Sequence, residues 1–167
     1  MKNQRGVTLI ALVVTIIVLI IIAGIAIAAL MGDNGVIKRS KEAKKEQIVG
    51  EVKDEIVLAV ASAKMLAEQK TVENSGFSAS KDLKGSNSAN LIIADLREEL
   101  PTTKGYTLVV GGTETAATVA VTYQTAAYKS ATNISDAAIT VTITVTGNKF
   151  EVGTYETNAH YTPPTGG

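Results

Sequence analysis

Cysteine is absent from all 167 residues, which excludes disulfide staples, thiolate nucleophiles and every metal site built on sulfur. Tryptophan is missing too, and five tyrosines and two phenylalanines make up the whole aromatic stock. None of the seven lies in the apolar N-terminal run, which argues against an aromatic stack along that segment. Histidine occurs once, as His160, in a C-terminal tail with no evident partner beside it. No Ser-His-Asp order, phosphate-cradling glycine loop or zinc-ligand spacing is present. Net charge is also lacking: 16 basic residues balance 16 acidic ones, so no global field points to nucleic acid or to acidic lipid. These absences leave a chain read as a non-enzyme without a cofactor.

What is present is uneven. Residues 7–31 contain no charge and no proline, and their only hydroxyls are Thr8 and Thr15. At about 1.5 Å per residue this run makes a helix of roughly 37 Å, enough to cross a bilayer's hydrocarbon core. Residues 33–74 are charged and helix-favouring, with eight basic and eight acidic side chains. After Gly76 the chain becomes rich in Thr, Ala and Gly, with β-branched alternation. The length suits one modest domain beside a membrane segment.

The first six residues, Met-Lys-Asn-Gln-Arg-Gly, are polar and basic and end in glycine. A basic arm ahead of an apolar stretch has three readings. A secretory signal has an apolar core of about 7–15 residues and a small-x-small cut site; Ala26-Ile27-Ala28 supplies the site, but the stretch before it is too long. An uncleaved anchor needs only the apolar run and leaves the arm unexplained. A prepilin leader makes the boundary at Gly6 the cut site and keeps the apolar helix in the mature chain.

The stretch Arg5-Gly6-Val7-Thr8-Leu9-Ile10 resembles the leader junction of type IV prepilins and pseudopilins. There a glycine precedes the cut and the next residues commonly read Phe-Thr-Leu-Ile-Glu. The wording of residues 8–19 is also similar to prepilin-like proteins of clostridia and their relatives. The resemblance covers about the first 45 residues. It implies cleavage between Gly6 and Val7 by a prepilin peptidase, N-methylation of Val7, and a filament-core helix that includes Thr8, Leu9, Ile10, Ala11 and Gly24. It also implies a helical homo-oligomer, other pilins as partners, and an assembly ATPase with its membrane platform. Two positions depart from the pattern: Val7 replaces Phe, and Ala11 stands where the family usually has glutamate. In pilins that carboxylate is held to neutralise a neighbour's terminal amine, so here the amine needs another partner or the subunit is a minor one.

Gly24 and Ala23, Ala26, Ala28 and Ala29 would let neighbouring helices approach closely. Gly32-Asp33-Asn34-Gly35 then breaks the run, with Asp33 or Asn34 placed to cap the next helix. Apolar residues at Val36/Ile37, Ala43, Ile48, Val52, Ile56, Ala59/Val60, Ala63 and Leu66/Ala67 form one amphipathic stripe. Lys38, Arg39, Lys41, Lys44 and Lys45 crowd the outer end of the apolar segment, so charge counting against Lys2 and Arg5 leaves its orientation open. The leader junction makes sense only with the N-terminus inside.

Residues 74–90 read as a Ser/Asn/Gly loop, and residues 91–100 as a short helix stopped by Pro101. Strands are expected at 106–110, around Val119, Val121 and Tyr123, at 139–145, and at 150–155. Turns are expected at Gly111-Gly112 and Gly147-Asn148. The fold expected is α+β: a long hydrophobic helix continuing into an amphipathic helix on an antiparallel sheet of about four strands, the pilin ladle. Its divisions are a leader at 1–6, a membrane and filament-core helix at 7–31, an amphipathic helix at 32–76 and a β-rich head at 77–167. Asp82, Asp95 and Asp136 are calcium candidates by residue type, and they lack the spacing of a calcium loop. Asn133-Ile134-Ser135 matches the glycosylation triplet.

The functional expectation is a structural subunit of a type IV pilus or a type II secretion-like pseudopilus. It begins in the cytoplasmic membrane and ends in an extracellular filament. A secreted head without disulfides favours a Gram-positive surface. The alternatives are a monomeric, single-pass membrane-anchored binding module and a soluble domain freed near Ala28.

Overall fold

In the apolar run every backbone hydrogen bond is made within the segment, so a Val- and Ile-rich sequence is helical despite its modest propensity. A computed structural model of the protein describes residues 5–32, 35–85 and 90–160, with the backbone alone for 5–8 and 158–160. Helix α1 covers Arg5–Met31 and α2 covers Val36–Glu73. Asp33 and Asn34, the expected caps of α2, lie outside the described residues. Between the helices the Gly32 amide donates to the Ala28 carbonyl (2.9 Å) and the Gly35 amide to that of Gly32 (2.7 Å). A Cβ on Gly35 would collide with the carbonyl of Leu30, so this position is closed to other residues.

The chain forms two compact units, 1–43 and 44–167. In the second, α2 is followed by α3 (Ala79–Leu83), α4 (Leu91–Glu99), a 3₁₀ turn (Thr102–Lys104), β1 (Tyr106–Gly112), β2 (Ala116–Tyr123), α5 (Ala126–Thr132), β3 (Ala137–Thr146), β4 (Lys149–Val152) and β5 (Glu156–His160). All strand pairings are antiparallel, in the order β1-β2-β3, and β4 and β5 share the far edge of β3. The chain is therefore α+β, a long apolar helix and a second helix followed by an antiparallel sheet of five strands.

The core follows from two periodicities. Ile48, Val52, Ile56, Ala59, Ala63 and Ala67 recur every three or four residues of α2 and are buried. Val119 and Val121 of β2 and Ile139, Val141, Ile143 and Val145 of β3 recur every two and join the same cluster. Threonines on the alternate positions, Thr140, Thr142, Thr144 and Thr146, are half-buried or exposed. Val36, Ile37 and Ala43, expected in the stripe, are exposed.

Several boundaries differ from expectation for local reasons. The β1–β2 reversal falls at 113–115 rather than at Gly111-Gly112. The Thr113 amide donates to the Ala116 carbonyl (3.0 Å), and the Ala116 amide donates to Thr113 Oγ1 (3.2 Å). Helix α5 arises where only a connection was expected: Thr125 Oγ1 caps it by accepting from the Tyr128 amide, and Asn133 ends it at φ 61°. Helix α3 sits inside the expected loop. The strand expected at 150–155 ends early as β4, and residues 156–160, which include His160 of the expected tail, form a further strand, β5; residues 161–167 lie outside the described residues. The Gly147-Asn148 turn stands as expected: φ is +61° at Gly147 alone of the two residues, which suits a type II′ hairpin.

Candidate functional site: an apolar helix without cover

Every large apolar side chain from Leu9 to Met31 is 46–76% exposed. This helical run is long and apolar enough to cross a membrane, and no part of its apolar window is buried by the rest of the chain. The single polar group described within it, the Thr15 hydroxyl, donates back to the Leu12 carbonyl (2.8 Å), so it presents no unsatisfied donor to an apolar medium. Leu9, Ile10 and Ala11 are exposed on α1. Around Gly24 an added Cβ would meet nothing within 4 Å, so nothing within the chain requires a glycine there. Gly6, Val7 and Thr8 lie in the first two turns of α1, where backbone amides lack helical partners and the helix opens most easily.

The head carries buried polar groups that serve its architecture. Asp82 is fully buried, and its Oδ2 accepts from the Ile92 amide (2.9 Å), holding the start of α4. The Tyr106 hydroxyl donates to Glu55 Oε2 (2.7 Å), while Lys104 Nζ lies 3.3 Å from Glu55 Oε1. This ties β1 and the preceding turn to α2. Burial, then the bond to Glu55, raises the Tyr106 hydroxyl above its ordinary pKa. Asp95 accepts from Ser62 (3.3 Å), and desolvation pushes its carboxyl upward. Asp136 is half-buried, and its carbonyl accepts from Gln124. Among the described residues no three metal-ligating side chains gather, and Asp82, Asp95 and Asp136 do not come together.

One groove of about 470 Å³ opens beside α2, lined by Lys45, Glu46, Val49, Gly50, Lys53, Tyr155 and Thr157. Lys53 Nζ sits 5.3 Å from the centre of the Tyr155 ring, a cation–π contact. The Tyr155 hydroxyl is buried and has no hydrogen-bond partner among the described residues, and desolvation raises its pKa.

Comparison with family models, curated proteins and solved structures finds no match to this chain.

The expected site residues thus fall on one element, α1, and the head supplies no second cluster of them. Sequence reasoning missed the outward face of α2, where Val57, Leu58, Met65 and Val72 are 55%, 67%, 70% and 89% exposed. The seven-residue spacing of Leu58, Met65 and Val72 was the available signal. It is hidden by Val60, Leu66 and the alanines of the buried stripe between them.

Proposed function

We propose that this chain is a type IV pilin-like subunit, inserted in the membrane as a precursor, cut between Gly6 and Val7, and polymerised through residues 7–31. The observation that carries this reading is the uncovered α1 beside a head with its own complete core. Leaving one Leu or Ile side chain in water rather than burying it costs about 1.5–3 kcal/mol, and α1 leaves more than a dozen exposed. Such a helix needs lipid around it, other copies around it, or each in turn. A membrane anchor accounts for the first state only. The junction Arg5-Gly6-Val7-Thr8-Leu9-Ile10 supplies the reason for the second, because leader removal leaves α1 at the very start of the mature chain. In this reading the N-terminus of the precursor is cytoplasmic and the head lies outside. The partners are a prepilin peptidase, an assembly ATPase with its membrane platform, other pilins and further copies of the chain.

The test is the N-terminus and intact mass of protein recovered from the surface of the producing cell. A methylated Val7 start, leaving 161 residues, is expected, and Gly6→Leu is expected to block it. A chain starting at Met1 on the cell surface, or a Gly6→Leu variant that matures and assembles normally, would overturn the reading in favour of a monomeric anchored module.

A further inference from the structure

The balance of 16 basic against 16 acidic residues hides one local excess. Residues 32–45 carry five basic side chains, Lys38, Arg39, Lys41, Lys44 and Lys45, against two acidic ones, Asp33 and Glu42. Every residue from Val36 to Lys44 is exposed, so no described residue covers the start of α2. The buried stripe of that helix begins only at Ile48. Glu42 stands three residues from both Arg39 and Lys45. Even so, among the described residues Arg39, Lys41, Lys44 and Lys45 form no ion pair.

The five bases do not make a stripe. At about 100° per residue, Arg39, Lys44, Lys41 and Lys45 fall about 100°, 240°, 300° and 340° round the helix from Lys38. The widest gap is about 140°, so the five form a collar with positive charge on every side. A protein docked on one face would meet two or three of them and leave the others unused. A headgroup layer meets all of them, because lipid surrounds a helix that emerges from it.

Position along the chain fits the same partner. The apolar run ends at Met31, and Val36 and Ile37, 65% and 47% exposed, precede the first base. Counted at helical rise, Lys38 and Lys41 lie about 10 Å and 15 Å beyond Met31. Helical side chains lean toward the helix N-terminus, so with the head outside each base leans back toward the membrane. The apolar stems of Lys and Arg then carry the charged ends to the lipid phosphates. Lys44 and Lys45 stand farther out, and their reach brings them within a Debye length of the headgroups, about 10 Å at 0.1 M salt.

We propose that residues 38–45 form a collar that binds the anionic phosphate headgroups of the outer leaflet and holds the unassembled subunit at the membrane surface. The proposal rests on the reading of α1 as a membrane span with the head outside, and adds a lipid partner to it. Leaving the membrane for a filament breaks these contacts, so the anionic lipid content sets how readily a subunit departs.

The chain has no cysteine, so a fluorophore on Ser40→Cys, an exposed site inside the collar, reports from one place. The labelled full-length chain is reconstituted in phosphatidylcholine vesicles holding trace nitroxide-labelled phosphatidylglycerol or nitroxide-labelled phosphatidylcholine. Quenching is expected at about fivefold lower content of the anionic lipid, the contribution of one basic residue at an anionic surface. Raising salt to about 1 M shortens the Debye length to about 3 Å and is expected to make the two lipids quench equally. R39Q/K41Q/K44Q leaves equal numbers of basic and acidic residues in 32–45, changes only exposed positions, and is expected to do the same. Equal quenching without either change would leave the charges to a wall polymer or another protein and would overturn the collar. A preference that survives both the salt and the triple variant would overturn it too.

Vesicles hold neither peptidase nor assembly machinery, so the lipid preference is read apart from the pilin reading. Surface protein beginning at Met1, together with that preference, would overturn leader processing and support the collar. A Ser40→Cys thiol closed to a membrane-impermeant reagent in intact producing cells would put the collar at the inner leaflet and overturn the assignment to the outer one.

Discussion

Asn148 and Thr71 stand 77 residues apart in the chain, yet Asn148 Nδ2 donates to Thr71 Oγ1 at 2.8 Å. Oδ1 of the same side-chain amide accepts from the Ala79 backbone N–H (2.7 Å), and the Ser80 amide donates to the Gly147 carbonyl (2.9 Å). Through these bonds the β3–β4 hairpin tip clamps the end of α2 and the start of α3. The Ser80 hydroxyl extends the clamp by donating to the Glu114 carbonyl in the β1–β2 turn (2.6 Å).

Asn148→Ala removes the clamp's central group and leaves the Ala79 amide without its acceptor. A loss of about 1–3 kcal/mol is expected in chemical unfolding of the full chain in detergent, read from the head's far-ultraviolet dichroism. Asn148→Asp keeps the acceptor but faces the Phe77 carbonyl with a second oxygen. It is expected to be similarly destabilised at pH 7 and to recover below about pH 4, when the carboxyl is protonated.

Ile56 is 1% exposed in the middle of the buried face of α2. Ile56→Ala opens a cavity among strand residues that cannot collapse onto it, and is expected to cost about 2–5 kcal/mol in the same assay. Leu58→Ala lies only two residues away on the exposed face and is expected to stay within about 0.5 kcal/mol. Equal losses at the two sites would mean that α2 is not seated as described.

Burial and the bond to Glu55 raise Tyr106, and burial raises Tyr155. A raised folded-state value means the neutral phenol is favoured by folding. That stability is complete below the ordinary tyrosine pKa of about 10 and is lost as pH climbs above it. In an ultraviolet titration of phenolate, Tyr106 and Tyr155 are therefore expected to ionise above the ordinary tyrosine range. Tyr106→Phe is expected to remove one of the late groups and to cost about 1.5–3 kcal/mol through loss of a charge-assisted bond.

Asp95 is raised chiefly by desolvation, with the Ser62 hydroxyl opposing and Glu98 adding to it. Here the raised value penalises the ionised form, so stability falls as pH rises through the carboxylate range. Asp95→Asn is expected to raise the unfolding midpoint at pH 7 and to make no difference below about pH 4, where the native carboxyl is already neutral.

Within α1, Ile17→Arg is expected to weaken membrane insertion by about 2.5–3.5 kcal/mol. One arginine leaves the helix with a favourable balance, so carbonate extraction is read on the triple variant Ile17→Arg/Ile20→Arg/Ile21→Arg. Its summed cost of about 8–10 kcal/mol exceeds what the remaining Leu, Ile and Val side chains supply: the wild type stays in the pellet and the triple variant moves to the supernatant. A triple variant that stays in the pellet would show that α1 is not what holds the chain in the membrane.

The elements read correctly from the chain are those with an uninterrupted period. Twenty-five uncharged residues from Val7 onward admit only a helix in lipid, and the alternation from Ile139 to Val145 admits only a strand with one covered face. Helix α5 and the split of β4 from β5 escaped because each is shorter than the window in which a period can be recognised. Of the candidate site, the apolar helix was legible. The second face of α2 was not, because two stripes on one helix fill most of its circumference and blur the period of either.

The sequence by itself determined that an apolar helix precedes a charged one and a β-rich head, since composition and local period act over a few residues and need no partner. The tertiary structure alone decided which face of α2 is covered, where Asp82, Glu55 and Asn148 find their partners, and which edge of β3 receives both β4 and β5. Those outcomes rest on hydrogen bonds and burial between residues tens of positions apart, and such contacts leave no mark on the local pattern of either partner.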